Sequence, residues 1–431
     1  MRPMSSLEVP SEARIRFCIL LATLLSAWAR APHGQAAERA AAWQIGTPIV
    51  TYWAGPTLTD RTAVQMSEGG WNVVWCQEKE LEVAQRHGLR AQLNDPLLTP
   101  LSLDNPTRQA ELEALIRRVK QHPALYSYFI TDEPNTTNFA GLGRLVDYLR
   151  EKDPSHLAYI NLFPTYASNE QLGNRGDVVT AYQAHLDDYV RIVKPELISY
   201  DHYQFSVKGD NDQYFLNLAL IRDKALSSRL PFLNIVQACT WSPSMRVPTS
   251  DEMRYLVYTT LAYGAQGISY YVYCWPEHKG GIANPDGTPT AIYPTLQGLN
   301  REFVAIAKEL QPLQSLRVYH TGMVPPGATA LPSGEPLALD PPLPPVPFRK
   351  LEPVQGTLLG YFGPAPKIGQ PEVVTHAVVV NLDYRTPAQL NLRGPRKLWI
   401  FDASSGVWTP QPGTRFSLQL PPGGGKLLRI R

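Results

Sequence analysis

The sequence predicts an α/β fold: a (β/α)8 barrel followed by a small C-terminal β-sandwich. Three observations carry this prediction. Eight short apolar runs alternate with eight helical segments over residues 47–313, close to the usual length of such a barrel. The best defined run, 126–130, is aromatic and β-branched without a charge, as a strand covered on both faces is. After residue 313 the pattern changes. Residues 314–356 are rich in proline and read as a connection, and 357–431 read as strands and turns. A doubly wound sheet also alternates, but it carries a glycine-rich phosphate turn after its first strand. Here that place holds Ala54, Gly55, Pro56 and Thr57.

Residues 1–36 stand apart. Arg14 and Arg16 precede the apolar run 17–29, which is too short to span a bilayer comfortably, and Gly34, Gln35 and Ala36 follow as a small-x-small site. That order predicts a signal peptide cut near Ala36, hence a secreted or periplasmic protein with no membrane attachment after cleavage. An uncleaved anchor is the rival reading. Cys18 lies inside the apolar run and not after it, which argues against a lipoprotein.

Barrel strands are expected at 48–54, 71–76, 89–95, 157–163, 197–203, 232–239 and 267–275, with the fourth built on the run 126–130 and ending in Asp132 and Glu133. Helices are expected at 60–68, 78–87, 105–121, 139–152, 182–194, 214–228, 250–263 and 293–310. Leu112, Leu115, Ile116 and Val119 share one face of the third helix; Leu142, Leu145, Val146 and Leu149 do so in the fourth. Asp251 and Glu252 open the seventh, where the helix dipole favours acids. The C-terminal strands fall at 358–362, 376–382, 398–402 and 416–420, with a further one at 316–321.

Forty Lys and Arg against 38 Asp and Glu leave a net charge of +2, which points to neither nucleic acid nor an anionic membrane as partner. Cys76, Cys239 and Cys274 form no disulfide framework and no CxxC metal motif. Cys239 and Cys274 pair only if their strands are neighbours; buried free thiols are the equal alternative. No cofactor and no metal is expected, and nothing in the sequence sets the oligomeric state.

The chemistry-bearing stretch follows the apolar run 126–130. Asp132 and Glu133 appear at once, and Pro134 ends regular pairing. Acids at the end of a buried parallel strand occupy the face on which barrels carry their active sites. The alternative is a helix start with Asp132 as N-cap. Other strand ends present Trp53, Gln77, Asp95, Asn161, Asp201, His202, Tyr203, Gln237, Trp241, Trp275 and Glu277, which a barrel gathers at one mouth. Two carboxyl groups amid flat aromatic surfaces are what glycoside hydrolysis requires. Each residue has a plainer reading as well. Asp201 can hold His202 or a loop backbone, His202 can be a hydrogen-bonded wall, and Asn161 can cap a loop. Asp95 can be a turn residue, Glu277 a loop residue, and Trp53, Trp241 and Trp275 core. No spacing among Asp95, Asp132, Asp201 and His202 singles out a metal site.

Over residues 47–313 the chain resembles the large clan of (β/α)8 glycoside hydrolases that includes the family 42 β-galactosidases. In that clan strand four ends in Asn-Glu-Pro, matched here by Asp132, Glu133 and Pro134 with Asp for Asn. Residues 261–271 resemble the clan's seventh helix and eighth strand, and 281–287 with 293–310 resemble its closing segment. The resemblance implies that Glu133 is the acid/base. The clan's nucleophile, a Glu ending strand seven, is missing: that strand ends Gln237, Ala238, Cys239, Thr240, Trp241. Asp201 is the best substitute, ahead of Asp132 and Glu277. Tyr200 and Asp201 also resemble a Tyr-Asp pair on strand six of family 18 glycosidases, whose multi-acid motif on strand four is absent here.

The expected function is a secreted glycoside hydrolase acting on a polysaccharide or oligosaccharide, with catalytic Glu133 as general acid and Asp201 as base or nucleophile. Substrate contacts are expected from Asp132, Asn161, His202, Tyr203, Trp53, Trp241, Trp275 and Glu277. Carboxyls about 5 Å apart imply retention, and roughly 6.5–9.5 Å implies inversion. The alternative is a non-catalytic carbohydrate-binding protein on a decayed hydrolase barrel. The C-terminal domain is expected to add stability, not chemistry.

Overall fold

Strand and helix follow one another as the apolar runs dictate: β1 Ile49–Trp53, α1 Asp60–Glu68, β2 Val73–Cys76, α2 Leu81–Arg86, β3 Arg90–Leu93, α3 Pro106–Val119, β4 Leu125–Asp132 and α4 Phe139–Lys152. Then come β5 Leu157–Leu162, α5 Val178–Asp188, β6 Ile198–His202, α6 Tyr214–Ser228, β7 Phe232–Gln237, α7 Ser250–Ala262, β8 Gly267–Tyr271 and α8 Tyr293–Leu310. The computed structural model describes residues 48–367 and 369–430; the expected signal peptide lies outside them. Among the described residues no helix is long and apolar enough to cross a membrane.

The eight strands pair in parallel in the order β1-β8-β7-β6-β5-β4-β3-β2, a nearly closed barrel. Asn72 bridges the remaining gap. Its N–H donates to Val50 O at 3.0 Å, and its Oδ1 accepts from Val50 N at 2.9 Å. Trp53, Trp75, Phe129 and Tyr159, from β1, β2, β4 and β5, meet with centroids 4.6–6.5 Å apart. These strands are not all neighbours, so their rings meet inside the barrel and fill it. Trp53 is therefore interior packing as much as mouth.

Helix ends obey local chemistry. Asn105 Oδ1 accepts from Thr107 N and Arg108 N ahead of α3, with Pro106 in the first turn. Thr249 and Glu252 form a reciprocal capping box on α7.

The C-terminal part is β-rich. One antiparallel sheet contains β9 Gln314–Gly322, β10 Gly356–Gly363, β11 His376–Asn381, β13 Leu398–Asp402, β14 Val407–Gln411 and β16 Gly425–Ile430. A smaller sheet joins β12 Ala388–Arg393, β15 Arg415–Leu420 and the pair Ala338–Leu339. The first sheet thus begins at Gln314, directly after α8, and residues 323–355 form the proline-rich connection. Leu359, Tyr361, Ala377 and Val379 pack with Leu392, Leu418 and Leu420 of the smaller sheet. Their alternate neighbours Leu358, Phe362, Val378 and Val380 join the barrel core, as the two-residue period of a strand requires.

Gly360 sits where this sheet meets α7. A Cβ there meets Ala262 O at 2.1 Å. Gly360→Ala is therefore expected to cost about 1–3 kcal/mol, read as a lowered melting temperature. An unchanged melting temperature contradicts the contact.

Candidate active site

The rim of the barrel at the strand C-termini is built by an unusual turn of backbone. Successive side chains of a strand face opposite sides, so Asp132 and Glu133 on a regular strand would diverge. Glu133 instead has φ +42°, a left-handed conformation that costs a non-glycine residue about 1–3 kcal/mol. Its N–H donates to Asn161 O at 2.9 Å, which holds the turn on β5. The following helical turn is capped by Asn135, whose Oδ1 accepts from Thr137 N at 2.9 Å. The reading of Asp132 as N-cap is thereby replaced.

Asn161 is the hub of the site. Only 2% exposed, it donates through Nδ2 to Asp132 Oδ1 at 3.0 Å and to Asp201 Oδ1 at 2.8 Å. Its Oδ1 accepts from Ser199 Oγ at 3.0 Å, and Ser199 Oγ lies 2.7 Å from Tyr159 OH. With both N–H groups and its carbonyl engaged, Asn161 orients the acids; it has no donor left for a substrate hydroxyl.

Asp201 is also 2% exposed. Its Oδ2 has no N–H or O–H partner, and its carboxyl lies within hydrogen-bonding reach of Glu133. Two carboxyls in contact hold a proton between them. Burial first, then the charge of Asp132, pushes Glu133 up to about 7. Burial, followed by the charges of Glu133 and Asp132, pushes Asp201 well above the carboxylate range. Although Asp132 is exposed as a residue, the protein packed around its carboxyl also raises it, against the pull of its Asn161 hydrogen bond. Carboxyls in contact with each other do not flank a sugar, as the pair spaced by about 5 Å or more in a glycosidase does. Asp201 is buried and Glu133 half-buried, whereas Asp132 is exposed.

His202 points the other way along β6, into the helix layer. Its Nδ1 lies 3.0 Å from Asn217 Oδ1 of α6, and its ring packs between Tyr166 and Tyr214. Burial pushes it down to about 4, so it is neutral at pH 7. It is a wall behind the site, which corrects its expected substrate contact. Gln237, at the position of the missing strand-seven acid, is spent on backbone: its Oε1 accepts from Phe205 N at 2.8 Å, and its Nε2 donates to Arg246 O at 2.7 Å. Asp95 Oδ1 accepts from Leu97 N at 2.9 Å, a turn role. Glu277 is exposed on the loop beyond Trp275. Cys76, Cys239 and Cys274 are free thiols; Cys239 pairs its backbone with Gly280, beyond Cys274 in the loop. Among the described residues no group of three or more His, Cys, Asp or Glu is arranged to hold a metal ion.

Tyr203, Trp241 and Trp275 do reach the rim. The ring of Tyr203 lies 4.7 Å from Trp241 and 5.2 Å from Tyr271. Tyr271, Tyr166 and His278 are additions that sequence reasoning missed. Tyr271 feels the charge of Asp132, Asp201 and Glu133, and its OH lies 3.0 Å from His278 Nε2. It is the last residue of β8, level with Trp53 and Gln237 in the ladder. Of the adjacent pair Tyr270 and Tyr271, only the register says which faces the mouth.

No protein-family model matches the chain, and no curated protein matches it. Among solved structures it is similar to a GH27 β-L-arabinopyranosidase from Geobacillus stearothermophilus in complex with arabinose, at 8% identity and TM-score 0.47, over 91% of this chain and 98% of that one. It is similar to a β-galactosidase from the psychrophilic Marinomonas ef1 at 12% identity and TM-score 0.44, over 64% of this chain and 62% of the galactosidase. A glycoside hydrolase family 5 mannosidase from Rhizomucor miehei matches at 11% identity and TM-score 0.39, over 58% of this chain and 88% of that one. Likeness of this degree carries no argument about activity.

Proposed function

We propose that the protein is a secreted glycoside hydrolase cleaving O-glycosidic bonds of a polysaccharide or oligosaccharide. The observation that carries the reading is a pair of carboxyls in contact, buried Asp201 and half-buried Glu133, beside a third acid, at a rim furnished with exposed aromatic rings. Glu133 is the general acid: half-buried, with its pKa raised to about 7, it holds a proton near neutrality and meets the mouth. Asp201 remains its partner in a changed role. It does not attack the sugar itself but keeps a proton in contact with Glu133. Asp132, open to the mouth, is the carboxylate that faces positive charge developing on the sugar or the water that attacks it. Tyr203, Trp241 and Trp275 offer their faces to sugar rings. We further read residues 1–36 as the export signal, 47–313 as the catalytic barrel, and the two C-terminal sheets as a sandwich.

One observation favours the binding-only alternative: Gln237 fills the strand-seven position and is fully engaged with backbone. Release of reducing sugar from a panel of neutral polysaccharides and aryl glycosides decides between them. Hydrolysis of at least one is expected. Binding of a glycan with no cleavage of any overturns the hydrolase reading.

A further inference from the structure

Among the described residues the exposed aromatic side chains are Tyr166 at 39%, Trp241 at 38% and Trp275 at 47%. They lie on the loops after β5, β7 and β8, all on the rim that carries the acids. Aliphatic side chains such as Leu101, Val207 and Val407 are exposed as well, but the exposed aromatic rings gather at this one edge of the mouth, and such a gathering marks a binding face. The rings are also connected. Tyr166 OH accepts from Tyr203 N at 3.3 Å, Tyr203 lies 4.7 Å from Trp241, Trp241 lies 6.0 Å from His278 with planes at 29°, and His278 lies 6.3 Å from Trp275. Tyr271 anchors this strip to the acids at its inner end, through its place beside them and its bond to His278.

The strip is held ready. Cys239 and Thr240 pair antiparallel with Lys279 and Gly280, which ties the Trp241 loop to the Trp275 loop. Gly281 N donates to Ala238 O at 2.9 Å, and Thr240 Oγ1 donates to Ser242 O at 2.8 Å. Rings fixed before binding lose little freedom when a ligand arrives. The opposite rim differs: between the β2 and β3 ends a groove is lined by Gln77, Glu78, Lys79, Asn94, Asp95 and Pro96, with no aromatic. A ligand therefore meets flat apolar faces on one side of Glu133 and polar groups on the other.

Charge narrows the ligand. Asp132, the carboxylate at the inner end, repels anions, and the Glu133 and Asp201 carboxyls beside it offer no positive charge to hold one. Burial lowers His278, which favours its uncharged ring, and on its loop Glu277 and Lys279 carry opposite signs. Sugar rings present an apolar face to an aromatic ring while their hydroxyls stay in water.

We propose that this rim is an elongated binding strip for a chain of neutral sugars, so that the protein grips several units of an oligosaccharide or polysaccharide beside the acids and not a single terminal sugar. The inference rests on reading the acids as a hydrolase site and adds the class of substrate and its placement. Tyr166, Tyr271 and His278 join Tyr203, Trp241 and Trp275 in it.

Tryptophan fluorescence of the Glu133→Gln protein tests the strip, with ladders of neutral gluco-, manno-, xylo- and galacto-oligosaccharides of increasing length as probes. Affinity for at least one ladder is expected to rise roughly tenfold or more from the monosaccharide to the longer members. In that background Trp241→Ala and Trp275→Ala should each remove about tenfold of the long-chain affinity and leave the monosaccharide unaffected, with Phe at either position restoring much of it. A carboxylated chain of the same length should bind more weakly. Affinity that is flat with length, Ala variants that match the parent on the longest chain, or failure of every ladder to bind overturns the proposal. Cleavage is read separately with the unmodified protein. Tryptophan-dependent binding without cleavage keeps the strip and removes the hydrolase. Cleavage of aryl monoglycosides with flat length dependence does the reverse.

Discussion

Glu133→Gln is expected to lower turnover on unactivated glycans by about 10²–10⁴-fold while the protein keeps its fold. The amide is isosteric, and it donates to the Asp201 oxygen that now meets the Glu133 carboxyl. What it removes is the proton delivered to the leaving oxygen. The loss should therefore shrink with the basicity of the leaving group. A dinitrophenyl glycoside departs without protonation, and the variant should cleave it at nearly the parent rate. Equal losses on both kinds of substrate would place Glu133 in another role, as nucleophile or as a purely structural turn residue. The second outcome is separable, because a collapse of the φ +42° turn would also lower the melting temperature.

How far the sequence led depends on the element. The eight barrel strands were legible because parallel strands buried on both faces are apolar throughout and then change polarity abruptly; β7 is buried at every position. Strands β12 and β14 were not. Leu392 is the one buried residue of β12, and β14 contains Pro410 and an exposed Val407, so neither shows a buried face to read. The site divides in the same way. Asp132, Glu133, Asn161 and Asp201 were legible as a group because all stand where apolar strands end. Their roles were not, because role depends on which way a side chain turns. Asp201 and His202 are adjacent, yet one enters the barrel and the other the helix layer. Asp132 and Glu133 are adjacent, yet a left-handed residue brings both to the mouth. The contact of Asp201 with Glu133 joins β6 to β4, two strands that do not pair, and no local pattern announces such a meeting.

The C-terminal part reaches the mouth indirectly. Tyr384 OH donates to Asp210 Oδ1 at 2.9 Å and Oδ2 at 3.0 Å, on the hairpin that leaves β6. Asp210 N donates in turn to Leu351 O of the proline-rich connection. The expected stabilising role of the C-terminal domain thus includes bracing the loop that follows Asp201. Burial pushes Asp210 up to about 6, against the Tyr384 hydrogen bond and the charge of Arg246. Its ionised form is the one these two groups favour.

Asp201→Asn separates a proton store from a nucleophile, because the two roles give different pH profiles. In the parent protein the Glu133 and Asp201 carboxyls titrate as a pair. Losing the first proton near pH 7 leaves a second, which burial and the charges of Glu133 and Asp132 hold on Asp201 more tightly than on an ordinary carboxyl, within reach of the leaving oxygen through Glu133. Activity should therefore persist on the alkaline side. With Asn at position 201 the store is gone, and once Glu133 ionises no proton remains. The variant should keep substantial turnover below pH 6 and lose about tenfold for each pH unit above the Glu133 midpoint near 7. If Asp201 were the nucleophile or base, the variant would be inactive at every pH. Stability supplies an independent reading. Asp201 binds a proton more tightly folded than unfolded, so its contribution is fully present below the unfolded value of about 4 and is lost as pH rises through the folded one. Asn carries no such penalty and still accepts from Asn161 Nδ2 through its carbonyl. The variant should accordingly melt higher than the parent at pH 8 and show little difference at pH 4. A lower melting temperature at pH 8 would mean that Asp201 is ionised and satisfied in the fold, which would undo the shared proton and the mechanism built on it.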